Sequence, residues 1–113
     1  MDGKVKCIVK RTDEVYGHMT NISASLENLQ RTIGGYIEPI YIGDVKKDGK
    51  DYDIVVICDE EGKLKGKEPN IVLGQDVICG DIIVIGAYRE DFCDVPITFE
   101  AWKDVIRRWG PCF

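Results

Sequence analysis

The sequence contains one histidine, no Cys-x-x-Cys pair and no Cys/His spacing of the kind that holds zinc. Metal ligation by imidazole and thiolate is therefore not expected, and neither a metal nor any other cofactor is assigned. No apolar run approaches the roughly 20 residues that span a bilayer, so no membrane partner is expected. Met1-Asp2-Gly3-Lys4-Val5-Lys6-Cys7 lacks the apolar stretch and small-residue cleavage site of a secretory leader. An excess of basic residues is missing too, with 15 Lys and Arg against 20 Asp and Glu. Direct binding to nucleic acid relies on cationic surface that displaces phosphate counterions, and that class is disfavoured. The spacing of Gly74, Gly80 and Gly86 matches no phosphate-binding fingerprint.

What the chain does have fits a single domain, residues 1–113, long enough to bury about two-thirds of its unfolded surface. Residues 1–50 carry 8 basic and 7 acidic groups, whereas 51–113 carry 7 and 13. The acidic half is compatible with a basic protein partner, or simply with solubility. The cysteine count is odd, at five, and no leader precedes it, which points to a reducing, cytoplasmic setting. Cys7, Cys58 and Cys79 lie in or beside apolar runs and read as buried structural thiols. Cys93 and Cys112 are less clearly buried.

Val5, Cys7 and Val9 alternate with Lys4, Lys6, Ile8 and Lys10, predicting a strand with one wet face and a return strand near Val15-Tyr16. Ile22, Leu26, Leu29 and Ile33 then recur at helical spacing, with Ser23 or Ser25 as cap and Gly34 as the left-handed stop. Tyr36 to Ile42 predicts a strand in which Pro39 demands an edge or a bulge. A charged turn is expected over 43–51. The apolar runs 53–58 and 81–88 predict central strands, and the turn between Asp59 and Leu64 is expected to need positive φ at Gly62. Ile71 to Gly74 fits a short strand or a helical turn. Thr98 caps a last helix with Ile97 and Trp102 as hydrophobic staple; Phe99, Trp102, Ile106 and Trp109 share its apolar face, and Gly110-Pro111 ends it. The whole predicts an α+β domain: a mixed, mainly antiparallel sheet of about five strands with two helices packed on it.

Two blocks carry a resemblance. Leu26-x-x-Leu29-Gln30-x-x-Ile33-Gly34-Gly35-Tyr36-Ile37-Glu38 and Asp59-Glu60-Glu61-Gly62-Lys63-Leu64, the latter followed by Gly66 and Pro69-Asn70, are similar to an uncharacterised small domain family. That family is common in bacteriophage, plasmid and conjugative-element proteins of bacteria. Gly80-Asp81-Ile82-Ile83-Val84-Ile85-Gly86 is a weaker third block. Lys67-Glu68 departs from the apolar step usual before the proline, and Asp59 stands where the family prefers Asn. The resemblance implies a mobile-element setting and no established chemistry.

No catalytic set is assigned. Asp59, Glu60 and Glu61 are binding candidates at a strand end, although they lack the alternating oxygens of a calcium loop. Tyr36, Glu38, Tyr41 and Asn70 complete the candidates, because the edge strand bearing the tyrosines could pair with a partner's strand or a second copy. The leading expectation is a non-enzymatic accessory protein that binds a host protein or small molecule, possible counter-defence included. A small hydrolase or transferase using an acidic or cysteine residue, and an acidic mimic that blocks a nucleic-acid-binding protein, are the alternatives.

Overall fold

Two apolar runs too continuous for a half-wet strand lie side by side in the middle of a sheet. A computed structural model, describing residues 3–109, pairs β4 (Lys50–Asp59) with β7 (Ile82–Tyr88) in antiparallel register, Val55 opposite Ile85 and Ile57 opposite Ile83. Outside them lie β1 (Lys4–Lys10) and β2 (His18–Ser23) on one flank and β3 (Ile37–Lys47) on the other, in the order β2-β1-β7-β4-β3. A short β8 (Asp91–Cys93) adds a sixth strand by pairing with the far end of β7. β1 leaves β7 there, and the gap is sealed by Val95 N–H donating to Lys6 O at 2.8 Å and Lys6 N–H to Asp94 at 2.8 Å. The α+β expectation stands, with six strands in place of five and every pairing antiparallel.

Both faces of this sheet are covered, which is why its central strands show no polar alternation. Helix α1 (Leu26–Ile33) lays Leu29 and Ile33 on Cys7, Val9, Val55, Ile57, Ile83 and Ile85. The opposite face receives α2 (Phe99–Trp109) and a hairpin of β5 (Pro69–Leu73) and β6 (Asp76–Cys79). There Trp102, Ile106, Ile71 and Ile78 meet Ile8, Val56, Ile82 and Val84. Each fully buried large aliphatic side chain in these layers contributes roughly 1.5–3 kcal/mol.

The capping chemistry follows the sequence. Ser25 Oγ accepts from Asn28 N–H at 3.2 Å, and Gly34 closes α1 at φ 81. Thr98 Oγ1 accepts from Ala101 N–H at 3.1 Å, and Ile97 packs into the cluster that holds Trp102. Trp102 Nε1–H donates to Tyr16 O at 2.8 Å, which ties α2 to the β1–β2 connection.

Several expectations are corrected. Ile8 and Lys10 are fully buried, so β1 has no wet face along its second half. Ile22 belongs to β2 and Leu26 is exposed, leaving Leu29 and Ile33 as the buried contacts of α1. β3 continues through the charged segment to Lys47, the turn shrinking to Asp48-Gly49; its register shifts between Tyr41 and Gly43, so the strand is both edge and bulged. Ile71 to Leu73 is a strand. Gly62 has no positive φ; glycine is required there because a Cβ would come within 2.4 Å of Cys79 O. Cys79 is only half-buried. The Gly110-Pro111 stop, Cys112 and the side chain of Trp109 lie outside the described residues.

Candidate functional site

Strand alternation sends the side chain of Asp59 to the same face as Val55 and Ile57, under the C-terminal end of α1. Its carboxylate is 1% exposed. Lys65 donates to Oδ2 at 2.8 Å and lies within 3.3 Å of Gly34 O; Lys67 reaches Oδ2 at 2.7 Å and donates to Ile33 O at 3.0 Å. Glu61 N–H supplies Oδ1 at 2.8 Å. Burial pushes the Asp59 pKa up, but these hydrogen bonds and charges outweigh it and hold the group at about 2. The two ammonium groups also meet the exposed carbonyls and the negative dipole end of α1. Gly35 makes room for this: a Cβ there would lie 2.5 Å from Lys65 Nζ and 2.6 Å from Asp59 Oδ2. Glu60 N–H donates to Tyr36 O at 2.9 Å and completes the seam.

The two sequence blocks are therefore one structural unit. Of the candidate residues, Tyr36, Glu38, Asp59, Glu60 and Glu61 are brought together around it. Glu38, Asp59, Glu60 and Glu61 line a cleft of about 340 Å³ together with Cys58, Leu64, Asp76 and Cys79. Glu61 also borders a second, open groove with Tyr36, Gly35, Lys65 and the α1 residues Glu27, Gln30 and Arg31. Glu38, Glu60 and Glu61 are exposed and form no ion pair among the described residues, whereas Lys63 pairs with Asp76. Large apolar groups border these openings: Leu64, on the cleft, is 86% exposed and Tyr36, on the groove, 68%.

Tyr41 and Asn70 lie apart from this unit. Tyr41 is exposed on the edge strand, its phenol pushed up by partial desolvation and then by Asp44, Asp53 and Asp51. Asn70 is fully buried and structural. Its Nδ2 donates to Lys10 O and Gly80 O at 2.9 Å each, while its Oδ1 accepts from Lys10 Nζ at 2.8 Å.

Lys65, Lys67 and Lys10 are the residues that sequence reasoning missed. The Lys65-Gly66-Lys67 spacing after an acidic turn was the available signal for the first two. Nothing in the alternation of β1 distinguishes Lys10 from a wet-face lysine.

Chemically the unit holds rather than reacts. Asp59 is ionised and locked, so it is not poised to take a proton near neutral pH. Burial, then the charges of Glu38, Asp59 and Asp76, push the Cys58 thiol up to about 11; burial does the same to Cys7. Both thiols are protonated at neutral pH and correspondingly poor nucleophiles. His18 bonds Glu14 at 2.9 Å rather than a thiol. Among the described residues, no group of three or more His, Cys, Asp or Glu side chains is placed to hold a metal. No helix there is long and apolar enough to cross a membrane.

A family model described as a domain of unknown function, DUF3846, matches residues 5–107. The chain belongs to this family. The match covers every element from β1 through most of α2, so the Asp59 unit and both of its openings lie within the DUF3846 region. Comparison with curated proteins and with solved structures finds no match.

Proposed function

We propose that the chain is a non-enzymatic accessory protein of a bacterial mobile element that works in the cytoplasm by binding a host protein. The mobile-element setting rests on the resemblance of the two sequence blocks. The binding role rests on one observation: Leu64 and Tyr36 stand exposed on two openings that share Glu61. Exposed large apolar groups rimmed by polar ones mark contact surfaces, and aromatic anchors carry much of the energy of protein interfaces. The rim carboxylates Glu38, Glu60 and Glu61 suit a basic partner surface.

Contact through side chains fits better than strand addition, whether to a partner or to a second copy. Pro39, the bulge after Tyr41 and the lysines at 46 and 47 all blunt the β3 edge. An enzymatic role using an acidic or cysteine group is less well supported, because Asp59 is committed to Lys65 and Lys67 and the Cys58 thiol is protonated.

Site-specific photocrosslinking tests this reading. A benzoylphenylalanine replacing Tyr36 is expected to give one discrete protein adduct in bacterial lysate, lost with Leu64→Asp and weakened by salt. The same probe replacing Val15, exposed on the β1–β2 connection, is expected to give none. Equal labelling from both positions, or no adduct from position 36, contradicts the proposal.

A further inference from the structure

The opposite end of β4 holds a third opening, about 23 Å from Asp59 along the strand at the usual rise per residue. It is a cleft of about 510 Å³ bordered by Lys47, Tyr52, Phe92, Val95 and Pro96. That volume lies within the range of small-ligand sites, which combine apolar and aromatic walls with a few polar groups. Tyr52 is braced from behind by Tyr88, with ring centroids 5.1 Å apart and planes at 41°. Lys50 Nζ and the Arg89 guanidinium lie 5.6 and 5.3 Å from the centroid of the Tyr88 ring.

The cations are the unusual part. Lys47 and Lys50 stand directly opposite each other across the Asp48-Gly49 turn. Like charges paired across strands are destabilising. Neither lysine, nor Arg89, forms an ion pair among the described residues, although the chain carries a net charge of −5. Two acids also border the cleft. Asp94 accepts from Lys6 N–H at 2.8 Å through one oxygen, so both it and Asp48 can accept from a base amino group.

We propose that this cleft binds a mononucleotide, with the phosphate on Lys47 and Lys50 and the base against Tyr52. An anion there relieves the Lys47–Lys50 repulsion, and a flat base stacks on the half-buried Tyr52 ring. The chain's negative charge disfavours a polyanion and so selects the mononucleotide over a nucleic-acid strand. This inference is independent of the Tyr36 surface.

Amide NMR of the isotope-labelled full chain, titrated separately with AMP, adenosine, inorganic phosphate and an oligoadenylate, tests the proposal. AMP is expected to shift the amides of Tyr52, Phe92 and Val95 with a submillimolar dissociation constant. Adenosine and phosphate are each expected to bind at least about tenfold more weakly, since each keeps only half of the contacts. Lys47→Ala and Tyr52→Leu should each weaken AMP about tenfold, on the scale of one lost charge contact or one lost stack. Lys47 is exposed and unpaired, so its variant should melt with the parent and report on binding alone. The proposal is overturned if AMP gives no shifts at about 5 mM or shifts centred elsewhere. Phosphate alone binding as well as AMP, or the oligoadenylate displacing AMP at equal nucleotide concentration, also overturns it.

Discussion

Lys67 places its ammonium 2.7 Å from the Asp59 carboxylate and 3.0 Å from the Ile33 carbonyl. One side chain thus neutralises a buried charge and satisfies a helix end. The loop after β4 is fastened to α1 through this contact, and the exposed carboxylates and apolar groups beside it inherit a fixed position. The proposed binding role accordingly rests on the groups that surround the lock, not on the lock itself.

Acid should loosen the lock. The Asp59 pKa is held at about 2 against an ordinary 3.8, so its stabilisation is complete above pH 3.8 and is lost as the pH falls through about 2. The lost contribution is about 2 kcal/mol. Urea unfolding followed between neutral pH and pH 2 should show this decline. Glu14 and Asp76, both lowered as well, add to it in the same direction. Asp59→Asn should be less stable at neutral pH and show a visibly flatter acid limb.

Gly62→Ala should destabilise by about 3 kcal/mol, the upper part of the overpacking range. The neighbour its Cβ meets is backbone, Cys79 O at 2.4 Å, which cannot swing aside. Gly34→Ala meets only the flexible end of Lys67 at 3.3 Å but must hold φ 81, and should cost about 1 kcal/mol. Thermal melts of the two variants order these effects.

Thiol reactivity should follow burial. Alkylation of the native protein at neutral pH, mapped by mass spectrometry, should modify the half-buried Cys79 and Cys93 well before Cys7 and Cys58. Fast labelling of Cys58 would mean that the cleft opens and that a thiol nucleophile deserves a second hearing.

The parts of the fold that the sequence made legible are those where one local force dominates. Ser25, Gly34 and Thr98 do what their side chains, or the lack of one, permit at a helix end. The runs around Val55 and Val84 could only be central strands. Legibility failed where burial and polarity disagree. Lys10 and Asn70 satisfy each other inside the protein across 60 positions of sequence, and neither carries a periodic signal. The extent of β3 was hidden because Asp44, Lys46 and Lys47 lie on an edge, where polar residues suit a strand as well as a turn. At the candidate site the acidic turn was visible from its charges. Its division into one locked carboxylate and two free ones depends on Lys65 and Lys67 folding back, a tertiary event.

A double-mutant cycle on Asp59→Asn and Lys67→Met, read by urea unfolding at neutral pH, tests the central claim most directly. A structural lock predicts that each change alone costs about 2 kcal/mol. The pair should then lose about 1–3 kcal/mol less than the sum. Functional sites commonly hold charges at the expense of stability. An increase in stability from either single change, or a coupling near zero, would contradict the account and return Asp59 to the list of reacting or binding groups.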